Sequence, residues 1–131
     1  MNDKLPPVET SWKRKFGHAF RGQKLGFRGE SSFFVHFFAT AMVVVTAATL
    51  GADRIDWCLL VLCITLVLTA EMLNSAIERL AKAVDQNYNA FIRDTLDIAS
   101  GAVLTVAYGT AVVGVIILGR LILLSLGRPA W

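Results

Sequence analysis

Glu71, Asn74 and Glu78 fall three and four residues apart in "LTAEMLNSAIERLAK" (68–82), a stretch that leaves an apolar run and enters a polar one. On a helix these steps stack side chains on one face, and the stripe continues through Lys82 and Asp85. Carboxylate oxygens of this kind suit Mg²⁺, which takes one or two carboxylates and completes its shell with water and phosphate oxygens. A carboxylate shielded from water binds a proton more readily, which equips it as a general base toward a hydroxyl. Glu71 and Glu78 are about 10 Å apart along a helix, too far to share one ion. The two chemistries therefore divide: Glu78 for the ion, Glu71 for the proton.

The elements that position these groups follow from the apolar pattern. Of 131 residues, 55% are hydrophobic and only 18% charged, and the mean hydropathy is +0.56, which marks an all-α integral membrane protein rather than a soluble domain. The run 31–52 carries no charge and has the roughly 20 residues that a bilayer core requires. A basic region of this length ahead of it argues against a cleaved secretory signal. "GADRID" reverses the chain, and a second span starts at Ile55 but has lost its apolar character by Ala70. Its helix must continue through Glu71 and Asn74 to clear the far interface near Glu78. Measured from Trp57, Glu71 lies about 21 Å along this helix and Glu78 about 32 Å. Glu71 is thus submerged, where an acid costs about 2.5–3.5 kcal/mol on insertion scales and is functional by default. The third span covers 98–119, bounded by Asp97 and Arg120.

Lys4, Lys13, Arg14, Lys15, Arg21, Lys24 and Arg28 precede the first span, and Arg79, Lys82 and Arg93 flank the connection between the second and third. Positive charge stays cytoplasmic, so the amino terminus is expected inside and the carboxyl terminus, with interfacial Trp131, outside. Trp12, Phe16, Phe20 and Phe27 alternate with the basic residues of 12–28, as in a helix lying on an anionic leaflet, although Gly17, Gly22 and Gly26 weaken it. The expected organisation is a basic amphipathic surface segment over 1–29, three transmembrane helices within 30–126, and a short outer tail, 127–131. Glu30 opens the first span and Asp97 the third at the same boundary as Glu78, and Glu30 with Glu78 is the favoured Mg²⁺ pair. Acids at helix amino termini also serve as dipole caps, and Asn74 could bond helices together.

Other features carry less. His18 and His36 lack metal-ligand spacing and read as interfacial or packed side chains. Cys58 and Cys63 fall on different helix faces and read as packed or lipid-facing thiols, with neither disulfide nor metal role. "ASGA" (99–102) allows close helix approach. No glycine-rich phosphate loop of the soluble type is present. The basic arm has no recognition motif beside it, which argues against nucleic acid.

"EMLNSAIE" (71–78), with "LDIASGAVL" (96–104), "FGHAFRGQK" (16–24) and "GESSF" (29–33), resembles the prokaryotic diacylglycerol kinase and undecaprenol kinase family over roughly 11–126. The resemblance implies a small homotrimeric kinase of the bacterial inner membrane, with a surface helix and three transmembrane helices per subunit and sites built between subunits. It implies transfer of the γ-phosphate of MgATP to a lipid alcohol, with Glu71 as general base, Glu30 and Glu78 on Mg²⁺ with ATP, and Asn74 and Asp97 completing the pocket. ATP enters through the resemblance alone. Two departures matter: Thr95, Leu96 and Asp97 stand where the family commonly reads Ala-Lys-Asp, and Lys82 stands where an acid commonly follows the motif. The expectation is that Lys82 or Arg93 meets the nucleotide phosphates, against the alternatives that Lys82 snorkels or that the site is weakened. Diacylglycerol is the expected acceptor and undecaprenol the alternative. An ion-translocating subunit and a non-catalytic binding protein are the rival classes.

Overall fold

The computed structural model describes residues 11–27, 31–85 and 87–127, with the backbone alone at 31 and 32. Glu30 and Trp131 lie outside the described residues. The chain there is helical throughout: α1 (Trp12–Gly26), α2 (Ser31–Thr49), α3 (Arg54–Val84) and α4 (Ala90–Ser125). α3 and α4 are each long and apolar enough to cross a membrane, and α2 contributes a shorter apolar run, Phe33–Thr49. At 1.5 Å per residue α3 is about 46 Å long, so the acidic stripe lies on one unbroken helix with the apolar run. α4 begins ahead of the expected Ile98 because Asn89 caps it, its side chain accepting from the backbone N–H groups of Phe91 and Ile92.

α3 and α4 run antiparallel and form the main packing, with α1 and α2 laid on them. Ala47, Leu60, Ile117 and Leu121 make a small buried cluster at one end. Elsewhere large apolar side chains face outward, among them Phe34, Phe38, Ile98 and Val115. Surface of that extent must be covered by lipid or by another polypeptide.

The α2–α3 turn needs Gly51, whose φ of 74° is left-handed. Asp53 then caps α3, accepting from the N–H groups of Ile55 and Asp56 at 2.8 and 2.9 Å, while the Asp56 carboxylate accepts from the Asp53 N–H at 3.0 Å. Arg120 of α4 closes the group: its Nη2 donates to Asp56 Oδ2 at 2.6 Å and to Asp53 Oδ2 at 3.3 Å. Arg120, expected at the boundary of the third span, thus ties α4 to the start of α3, and the helix runs on to Ser125. Arg120→Ala would leave Asp56, whose side chain is 7% exposed, without its cation. We expect the variant to unfold in micelles at a lower denaturant concentration than wild type. The Asp53 carboxyl is held below the ordinary carboxylate range, chiefly by the Asp56 N–H and also by Arg120, against desolvation. A carboxyl depressed on folding adds stability above its unfolded pKa and loses it as the pH falls through the folded one. The Asp53 contribution is accordingly present at neutral pH and is lost only in acid, as the pH falls from the ordinary aspartate range through the depressed folded value.

Candidate active site

α3 delivers Glu71 to the interior: the residue is 4% exposed, and Ser75, one turn on, is buried as well. Glu71 meets α2 there, with its Oε1 2.8 Å from Nε2 of His36. The His36 side chain is 21% exposed and its ring reaches a second environment, an apolar groove of about 550 Å³ between α2, α3 and α4. His36, Val67 and Ala107 line the end of this groove nearest Glu71, and Leu60 and Ile122 line the other. The α4 wall from Ala107 to Ile122 is about 22 Å long, the scale of an alkyl chain. His36 was expected to be a packed or interfacial side chain; it is half-buried as well as paired. A signal for the pairing existed, since a ring carrying nitrogen inside an uncharged span must find a partner.

Asn74 and Glu78 come next on α3, both half-buried. Asn74 Nδ2 donates to Glu78 Oε1 at 2.9 Å, across one helical turn. The other end of the amide, Oδ1, is buried with no hydrogen-bond partner. A buried acceptor in that state carries a desolvation cost that a cation or a donor would remove. A carboxylate and an amide oxygen side by side are the hard oxygen donors that Mg²⁺ takes. The residues present therefore fit the ion. Among the described residues no three His, Cys, Asp or Glu cluster as a metal site.

A second cavity, of about 470 Å³, follows where α3 hands over to α4. Lys82 and Asp85 line it from α3 and its cap, and Arg93 and Leu96 line it from α4, with Tyr88 between. The two cations singled out from the sequence thus share one cavity, and Leu96 occupies its wall. Arg93 bonds the Tyr88 hydroxyl at 3.2 Å and pairs with Asp94 at 3.1 Å. That ion pair is exposed and easily exchanged for another anion. Asp97 is exposed on α4 and lines neither cavity.

α1 approaches this end of the molecule. Arg79 Nη2 donates to the Leu25 carbonyl at 2.9 Å, and Gly26 lies so close to α3 that a β-carbon there would sit 3.3 Å from Met72 Cγ. Trp12, Phe16 and Phe20 stay exposed, with Lys15 Nζ 5.1 Å from the Trp12 ring centroid.

Residues 17–118 match the model of the prokaryotic diacylglycerol kinase family. The chain is similar to a diacylglycerol kinase of Synechocystis sp., 32% identical over 76% of this chain, although the match spans only 57% of that protein's length. It is also 32% identical to a diacylglycerol kinase of Escherichia coli K12, over 67% of this chain and 72% of the relative. An undecaprenol kinase of Bacillus subtilis is 28% identical over 79% of this chain and 85% of its own length.

Proposed function

The chain belongs to the prokaryotic diacylglycerol kinase family, a family of lipid phosphotransferases, and on that premise we propose that it moves the γ-phosphate of MgATP to the hydroxyl of a membrane lipid. Diacylglycerol, giving phosphatidic acid, is the acceptor we favour; undecaprenol is the other. The carrying observation is the buried Glu71 carboxylate joined through His36 to an apolar groove. That arrangement supports an acceptor whose chain lies among α2, α3 and α4 and whose hydroxyl reaches Glu71.

In this reading Glu71 takes the hydroxyl proton while the lipid oxygen forms its bond to the γ-phosphorus. The bond from that phosphorus to the bridging oxygen breaks, its electron pair leaving with ADP. Little covalent work falls to the protein, and positioning and charge carry the rate. Glu78, with Asn74 Oδ1 and with Glu30, would hold Mg²⁺. The ion would supply neutralisation of the phosphate charge. Lys82 and Arg93 meet the nucleotide phosphates, taking over the role of the lysine replaced by Leu96, whereas Asp97, exposed on α4 and outside both cavities, is left without a part in the pocket. Lys82→Ala and Arg93→Ala are each expected to raise KM for MgATP about 3- to 10-fold with a smaller change in kcat, and the double variant to raise it further. Unchanged KM in both single variants would remove the cavity from the nucleotide site.

We place α2, α3 and α4 across the bacterial inner membrane, with the amino terminus cytoplasmic, the carboxyl terminus outside and α1 on the inner leaflet. The basic flank of α1 and its exposed aromatic side chains support that placement. A homotrimer with shared sites is the assembly that the family resemblance implies, and the outward apolar faces would be covered by neighbouring subunits or by lipid. Purified protein with labelled ATP and vesicles containing either dioleoylglycerol or undecaprenol tests the reading. A labelled lipid, and which of the two carries the label, decides the activity and the acceptor. Label in neither lipid would refute it.

A further inference from the structure

Glu71 cannot act alone, because a carboxylate side chain in an apolar bundle has several rotamers and only some present an oxygen to a hydroxyl entering from the groove. α2 supplies the constraint. His36 Nε2 lies 2.8 Å from Glu71 Oε1, and the same ring forms part of the groove wall. An ionised carboxylate only accepts hydrogen bonds, so with Glu71 in its basic form the imidazole must carry its hydrogen on Nε2 and donate it. The bond is charge-assisted and shielded from water on the Glu71 side, the setting in which such bonds are strongest. It fixes one carboxylate oxygen on α2 and thereby the direction in which the other points.

We infer that His36 is a positioning residue for phosphoryl transfer: its Nε2–H locks the Glu71 carboxylate at the end of the apolar groove where the acceptor hydroxyl arrives. The inference rests on the proposed role of Glu71 as base. His36 itself gains no proton and forms no bond to substrate. Its contribution is made through Glu71, and it lies on a different helix from Asn74, Glu78, Lys82 and Arg93. Changing it should therefore disturb turnover while leaving the nucleotide site alone.

The experiment measures steady-state kinetics of the purified full chain in vesicles containing dioleoylglycerol, varying MgATP. His36→Leu removes the donor and is expected to lower kcat about 10- to 100-fold, with KM for MgATP within about twofold. His36→Gln presents an amide N–H at similar reach and should recover most of the wild-type kcat, whereas His36→Asn is too short and should not. Wild-type kcat in His36→Leu, equal impairment of the Gln and Asn variants, or a loss confined to KM for MgATP would each overturn the inference. Should His36→Leu fail to fold, the Gln and Asn pair decides alone. Glu71→Gln separates the two levels: if it is inactive while the His36 variants turn over normally, only the inference falls. If Glu71→Gln turns over normally, the role of Glu71 falls and this inference with it.

Discussion

Glu71→Gln is expected to lower kcat for lipid phosphorylation about 10²- to 10⁴-fold, with KM for MgATP within about twofold, in steady-state assays that vary both substrates. Glutamine has the shape of glutamate, and its amide oxygen can still accept from His36 Nε2–H, so the α2–α3 contact survives. What disappears is the capacity to hold a proton. Glu71 is buried on the opposite side of Asn74 from Glu78 and Lys82 along α3, so the substitution leaves those groups in place. A kcat close to wild type would assign the proton to another acceptor.

Glu78→Gln should produce a loss of similar size by a different route, about 10²-fold or more in kcat/KM at limiting Mg²⁺. The carboxylate is half-buried and held by Asn74 Nδ2, and removing its charge leaves two neutral amides where a divalent ion needs an anion. Raising Mg²⁺ should recover part of the activity in this variant and none in Glu71→Gln. Metal titrations of the two variants therefore distinguish a lost cation ligand from a lost base. Equal Mg²⁺ dependence in Glu78→Gln and wild type would remove Glu78 from the ion.

Much of this site follows from counting along one helix. The apolar run that ends near Ala70 is too short to cross a bilayer, so its helix was expected to continue through Glu71 and Asn74, and α3 does run unbroken to Val84. The Asn74–Glu78 hydrogen bond is a four-residue step on the same helix and can be read from spacing. Lys82 and Arg93 could be paired in thought because each lies near an end of the short α3–α4 connection, and they do share a cavity. What escaped are contacts between elements remote in sequence. His36 and Glu71 are 35 residues apart, and Arg120 and Asp56 are 64 apart. Such pairs depend on the rotation of one helix against another, which hydropathy does not encode. Polar groups in apolar helices announce that they have partners but not which partners. The full length of α4 was not legible for a related reason: the helix runs beyond the apolar stretch at both ends, and at its start the Asn89 side chain caps it by hydrogen bonds that apolarity does not announce.

The Asp53–Arg120–Asp56 clasp has a mechanical consequence for the opposite end of the molecule. α3 and α4 are joined by the chain itself at 85–89 and riveted by the arginine at their far ends, so the pair behaves as a beam pinned at both extremities. α2 touches that beam more lightly and carries the imidazole. A tilt of α2 against this beam would break fewer contacts than parting α3 from α4, and severing the rivet would remove the tie at the beam's far end.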